Sequence, residues 1–140
     1  MIKSILDGIS NALYANFENV QIVSEGIEQG IEEPCFFIDI FSEKELPLTG
    51  NRAYRVLDVD VHYFPKTETN EEIAEVASQL YFALRRIKLL DGSTINSLNS
   101  MYHRTTDGVL HFFVSYKPIV YYPKKESEKQ GELDQKVGIK

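Results

Sequence analysis

Asp58, Asp60 and His62 alternate in the stretch "LDVDVHYF", and each can ligate a metal or move a proton. Successive side chains of a strand point to opposite faces, so these three would share one side. The run "CFFIDIF" at 35–41 places Asp39 with Cys35, Phe37 and Phe41 on one face, opposite Phe36, Ile38 and Ile40. A third run, "LHFFVSY" at 110–116, contributes His111. Strands paired in phase would gather Asp39, Asp58, Asp60, His62 and His111. Carboxylates and imidazoles bind divalent metals, and a bound metal can activate water for hydrolysis. The spacing matches no fixed ligand motif, however, and alternating acids also mark a solvated strand or a polar subunit interface. The polar surface is the favoured expectation, with no metal ligand, catalytic residue or cofactor assigned.

Other chemistries find less support. Ser, His and Asp are present without a G-x-S-x-G elbow, and no glycine-rich phosphate loop or C-x-x-C pair occurs. The single cysteine, Cys35, lies inside an apolar run, where thiols are small core residues and not activated nucleophiles. It cannot form an internal disulfide, which fits a reducing cytoplasm. The net charge of −6, with no dense basic stripe, opposes nucleic-acid binding. Asp7, Ser10 and Asn11 interrupt the N-terminal apolar pattern, so neither a signal peptide nor a membrane span is expected.

The elements that must position these residues follow from periodicity. Ile2, Ile5, Leu6, Ile9, Leu13 and Phe17 recur at helical spacing over 2–17. "NVQIVS" at 19–24 suggests a short strand, and the loop bearing Gly26 and Gly30 leads to Pro34 and a strand start. The alternating stretch 51–65 should pair with 35–42, and the connection containing Pro47 and Gly50 is expected to be a protruding loop. Thr69 and Glu72 fit a capping box for a second helix reaching about Arg86. Asp91-Gly92 and Asp107-Gly108 are turns on either side of a strand within 93–106, with a return strand over 109–122. The predicted class is α+β, in the order α-β-β-β-α-β-β, with a mostly antiparallel sheet and two helices on one face. A single domain over 1–122 precedes a polar C-terminal tail at 123–140, where lysines and acids mix with Ser, Gln and Gly and disorder is expected.

Helices covering Phe36, Ile38, Leu57, Val59, Leu110 and Phe112 would leave Phe37, Phe41, Phe64 and Phe113 on the other face. A surplus aromatic patch of that kind marks an interaction surface. Arg85 and Arg86 suit a helix C-terminus, whereas Arg52, after the 43–53 loop, could reach a partner's carboxylates. The candidate interface is therefore Phe37, Arg52, Phe64 and Phe113.

The strings "GIEQGIEEPCFFI", "GNRAYR", "VDVHYFP" and "DGVLHFFVSY", in this order around two helices, resemble the small tail terminator proteins of Gram-positive phages and phage-like contractile particles. The resemblance covers residues 1–122. It implies a structural protein without catalytic residues, assembled in the host cytoplasm and then carried in the particle tail. It also implies a homo-oligomeric ring, usually a hexamer, that contacts the tail tube protein and head–tail connector proteins. Two other functions remain: a metal-dependent hydrolase using the Asp/His cluster, or an adaptor that binds a peptide along an exposed strand.

Overall fold

The computed structural model describes residues 1–24, 32–67 and 69–124. Residues 125–140 of the tail expected at 123–140, and the Gly26 and Gly30 loop, lie outside them. Helix α1 spans Ile2–Asn16 and buries Ile5, Ile9 and Leu13, one stripe with a turn between members. Gly8 lies on the same side, where a side-chain Cβ would sit 2.7 Å from the Lys88 carbonyl oxygen. The missing side chain lets the helix backbone approach the sheet. Among the described residues, no helix is long and apolar enough to cross a membrane.

Strands β1 (Gln21–Val23), β2 (Cys35–Leu48) and β3 (Arg52–Phe64) precede helix α2 (Asn70–Ala83). Strands β4 (Arg86–Lys88), β5 (Thr94–Arg104), β6 (Leu110–Tyr116) and β7 (Ile119–Tyr121) follow. The sheet order is β1-β2-β3-β6-β5-β4, with β7 beside the far end of β3. Among the described residues only β1 and β2 run parallel; the remaining described pairs are antiparallel. The fold is therefore α+β with a mostly antiparallel sheet, as predicted.

One face of the sheet and both helices form a continuous core. Phe36, Ile38, Leu57, Val59, Leu110 and Phe112 are all buried there with Ile9, Leu13, Val76 and Leu80. Phe17 meets Phe36 edge-on at 4.8 Å, closing the end of the core beyond α1. Thr69 accepts a hydrogen bond from the Glu72 amide, so the predicted N-cap is present. The Glu72 carboxylate reaches further back than a capping box requires, accepting from Tyr63 Oη, the Lys66 and Thr67 amides and the Thr67 hydroxyl.

Three boundaries differ from expectation. Residues 43–53 are not a loop: β2 continues through Pro47 to Leu48, and only 49–51 turn, with Gly50 at φ +73°. Pro47 is tolerated because no described strand lies on the outer side of β2 there. The connection is thus the tip of a long hairpin arm. The second helix ends at Ala83, and Arg86–Lys88 forms β4, pairing Ile87 with Ile95. Ile87 is buried as the helical pattern suggested, but from a strand. At the end of α2 the Tyr116 hydroxyl donates to the Leu84 carbonyl at 2.6 Å, satisfying an acceptor that a helix terminus leaves over. The return strand also breaks at Lys117-Pro118, so its last part, β7, pairs with the arm through Arg52, Ala53 and Tyr54.

Candidate functional site

The face without helices is built in cross-strand rows. One row is Phe37, His62, His111 and His103, contributed by β2, β3, β6 and β5. The next is Asp39, Asp60, Phe113 and Met101. Directly paired side chains stand close enough to interact, and the rings do so. His62 lies 4.5 Å from His111, Phe37 meets His62 edge-on at 5.5 Å, and His103 stacks on Phe113 at 5.4 Å. Phe64 stacks over His62 at 6.4 Å. Phe37, Phe64 and Phe113 are thus half-buried against imidazoles.

Phe41 behaves differently. The β2–β3 register shifts between Ile40 and Ser42, and the extra residue at this bulge is Phe41. Its ring is 55% exposed and touches Phe113 edge-on at 6.1 Å. Beyond the bulge the faces of β2 exchange parity, which places Glu43 and Glu45 beside Arg55.

Of the five residues that could do chemistry, three converge. The Asp60 carboxylate is buried, and its Oδ2 lies 3.0 Å from His111 Nδ1 and 3.1 Å from His62 Nε2. The His111 contact has hydrogen-bond geometry. His62 Nε2 is close but misaligned, so it is buried without a hydrogen bond, as is Asp60 Oδ1. Burial alone would raise the Asp60 pKa, but the close approach and charge of the His62 and His111 imidazoles outweigh it and hold the carboxyl below its ordinary value. Asp58 is engaged elsewhere, accepting from the Ser115 hydroxyl across the strands. Asp39 is opposite Asp60 in register but exposed.

Arg52 lies at the arm tip, where Nε donates to the Thr49 carbonyl at 3.0 Å and Nη2 to Thr49 Oγ1 at 3.3 Å. Among the described residues, the arginine that meets carboxylates is Arg55, bonded to Glu43 at 2.8 Å and to Glu45 at 3.0 Å. Tyr122 joins this cluster, accepting from Arg55 Nη2 and donating to Glu45. Its amide also donates to the Asn51 carbonyl, fastening the chain after β7 to the arm.

Sequence reasoning missed both His103 and the Arg55 cluster. A signal for His103 existed: the Asp107-Gly108 turn pairs positions equidistant from it, and so sets His103 opposite His111. Arg55 was visible only as a strand residue, because its partners were assigned to a loop.

Comparison with curated proteins returns no match. A family model described as phage tail terminator protein matches residues 4–129. That range holds every described strand, α2 and nearly all of α1. It also runs past Tyr122, the domain end expected from sequence. The chain therefore belongs to the phage tail terminator family and has a structural role in the phage tail.

Proposed function

We propose that this chain closes into a homo-oligomeric ring, a hexamer by the family resemblance, on the last ring of the tail tube. There it stops tube polymerisation and presents the surface to which head–tail connector proteins join. Assembly takes place in the host cytoplasm before the ring becomes part of the particle tail. The observation that carries this reading, beyond family membership, is the difference between the two sheet edges. β1 pairs with β2 only at 35–37, which leaves 38–48 without a described outer strand. β4 pairs with β5 at 94–96 and the Ser97 amide donates to the Arg85 carbonyl, which leaves 98–104 without a described outer strand. A cyclic oligomer joins unlike surfaces of neighbouring subunits. Two unlike edges, both flanked by exposed apolar side chains such as Phe41, Leu98 and Met101, meet that requirement.

Phe37, Phe64, Phe113 and Arg52 are proposed contacts to a neighbouring subunit or to the tube. Phe82 on α2, 77% exposed on the helix-bearing side, gives a further surface for a second partner. No covalent step is asked of this protein; its contribution is adhesion and geometry. Particles produced without it, viewed by electron microscopy, should show tails of uncontrolled length or tails lacking heads. Tails of normal length joined to heads would overturn the proposal. The free β2 edge would also suit an adaptor that adds a peptide strand. Mixing with purified tube protein separates the two readings: a terminator caps tube ends, whereas an adaptor leaves them growing.

A further inference from the structure

We infer that Asp60, His62 and His111 form a binding site for a divalent transition metal, zinc by the chemistry of its ligands. Ligand atoms, one each from Asp60, His62 and His111, lie within 4.8 Å of one another, although the residues come from two strands. Ligand atoms about 2.0–2.1 Å from a tetrahedral zinc stand roughly 3.3 Å apart. The two oxygen-to-nitrogen distances, 3.0 and 3.1 Å, are already close to that spacing.

Proximity alone would be a weak argument. The stronger one is that the cluster does not satisfy itself. Asp60 is only 8% exposed, yet Oδ1 has no hydrogen-bond partner, and neighbouring His62 Nε2 is buried without one. Unpaired buried polar atoms are costly, and two in adjoining side chains call for a shared partner. A cation held by the carboxylate through Oδ1 as well as Oδ2 would supply it, taking a lone pair from each imidazole. Two imidazoles and one carboxylate suit zinc and its first-row neighbours, whereas calcium and magnesium favour sites made of oxygen alone. His103 stacks on His111 at 5.5 Å but lies outside the three-atom group, so it orients a ligand without being one.

The site lies on the open face among Phe37 and Phe113, and three protein ligands leave a fourth position for water or a neighbouring subunit. It therefore has a structural use, fixing the histidine row. The inference stands independently of the ring proposal, because it concerns the isolated chain.

The test is titration of zinc into the full chain after chelator treatment, followed by calorimetry and by the visible spectrum of a cobalt(II) substitute. Equimolar, saturable binding at micromolar zinc is expected. His62→Ala, His111→Ala and Asp60→Asn should each weaken it about tenfold or more, with His103→Ala changing it far less. A second measurement needs no variant: zinc should protect His62 and His111, but not His103, from diethyl pyrocarbonate, read by peptide mass. Absence of saturable binding, affinity unchanged in all three ligand variants, or equal protection of all three histidines would overturn the site. None of those results would alter tube capping by the unmodified protein, so the two proposals fail separately.

Discussion

Phe41→Asp separates folding from assembly, because Phe41 is a bulge residue whose ring is 55% exposed in the free subunit. Its aromatic contact within the chain is the edge-on approach to Phe113 at 6.1 Å. Aromatic pairs contribute about 0.5–1.5 kcal/mol, and one this exposed belongs at the lower end. Folding should therefore lose no more than about 1 kcal/mol. If a neighbouring subunit covers the exposed half of the ring, that burial contributes about half of the ~1.5–3 kcal/mol for a large apolar side chain, or ~0.8–1.5 kcal/mol per contact. Placing a carboxylate there replaces this gain with a desolvation penalty of a few kcal/mol. Each ~1.4 kcal/mol is a tenfold change in affinity, so assembly should weaken by some hundredfold or more per contact. Thermal unfolding checks the fold, sedimentation velocity the oligomer, and electron microscopy of tubes mixed with the variant its capping. The expected result is a folded monomer that leaves tube ends open. A variant that melts with the wild type and still caps tubes refutes the interface; one that does not fold places Phe41 in the core.

Three further outcomes are expected. Gly8→Ala, which would raise stability in an ordinary helix, should lower it by roughly 1–3 kcal/mol, since the new methyl meets the Lys88 carbonyl at 2.7 Å and Ile87 Cδ1 at 3.2 Å; chemical denaturation measures the sign. Tyr116→Phe removes the donor to the buried Leu84 carbonyl and should cost about 1–3 kcal/mol, seen as a lower urea midpoint with an unchanged slope. Burial alone would raise the Glu72 pKa, but hydrogen bonds from Thr67, Tyr63 and the Lys66 amide outweigh it and hold the carboxyl below its ordinary value near 4.5. A depressed folded-state pKa gives stability that is complete above that value and lost as pH falls below it. Glu72→Gln should therefore flatten the fall in stability as pH drops below about 4.5; an unchanged profile would show that Glu72 is not the group responsible.

The core was legible because its signal is periodic and local. Ile5, Ile9 and Leu13 lie one helical turn apart, and Phe36, Ile38, Leu57, Val59, Leu110 and Phe112 alternate along strands, so every one of them reached the predicted face. Glycine turns were equally readable: Gly92 and Gly108 both have positive φ where an Asp-Gly pair promised a turn. The end of α2 was not readable, because Ile87 continues the apolar spacing of the helix while belonging to β4. Periodicity records which residues are buried, and helix and strand can bury the same one.

The arm and the histidine cluster were obscured for a different reason, namely that their residues are satisfied or left wanting by partners far away in sequence. Glu43, Lys44 and Glu45 resemble a loop because no core face requires apolar residues beyond the helices. What makes them a strand is the ladder to β3, reinforced by Arg55. The bulge at Phe41 adds a phase change that simple alternation cannot follow. On the open face, alternation correctly placed Asp58, Asp60, His62 and His111 together but gave their acids equal standing. Register decides between them: Ser115 lies across from Asp58 and satisfies it, while Asp60 falls opposite Phe113, which offers no hydrogen bond, and must turn to the histidines of the adjacent row. An acid set opposite a phenylalanine and closed in by two imidazoles is poorly suited to a merely solvated surface. That misfit distinguishes Asp60 from its neighbours and gives the metal titration its clearest target.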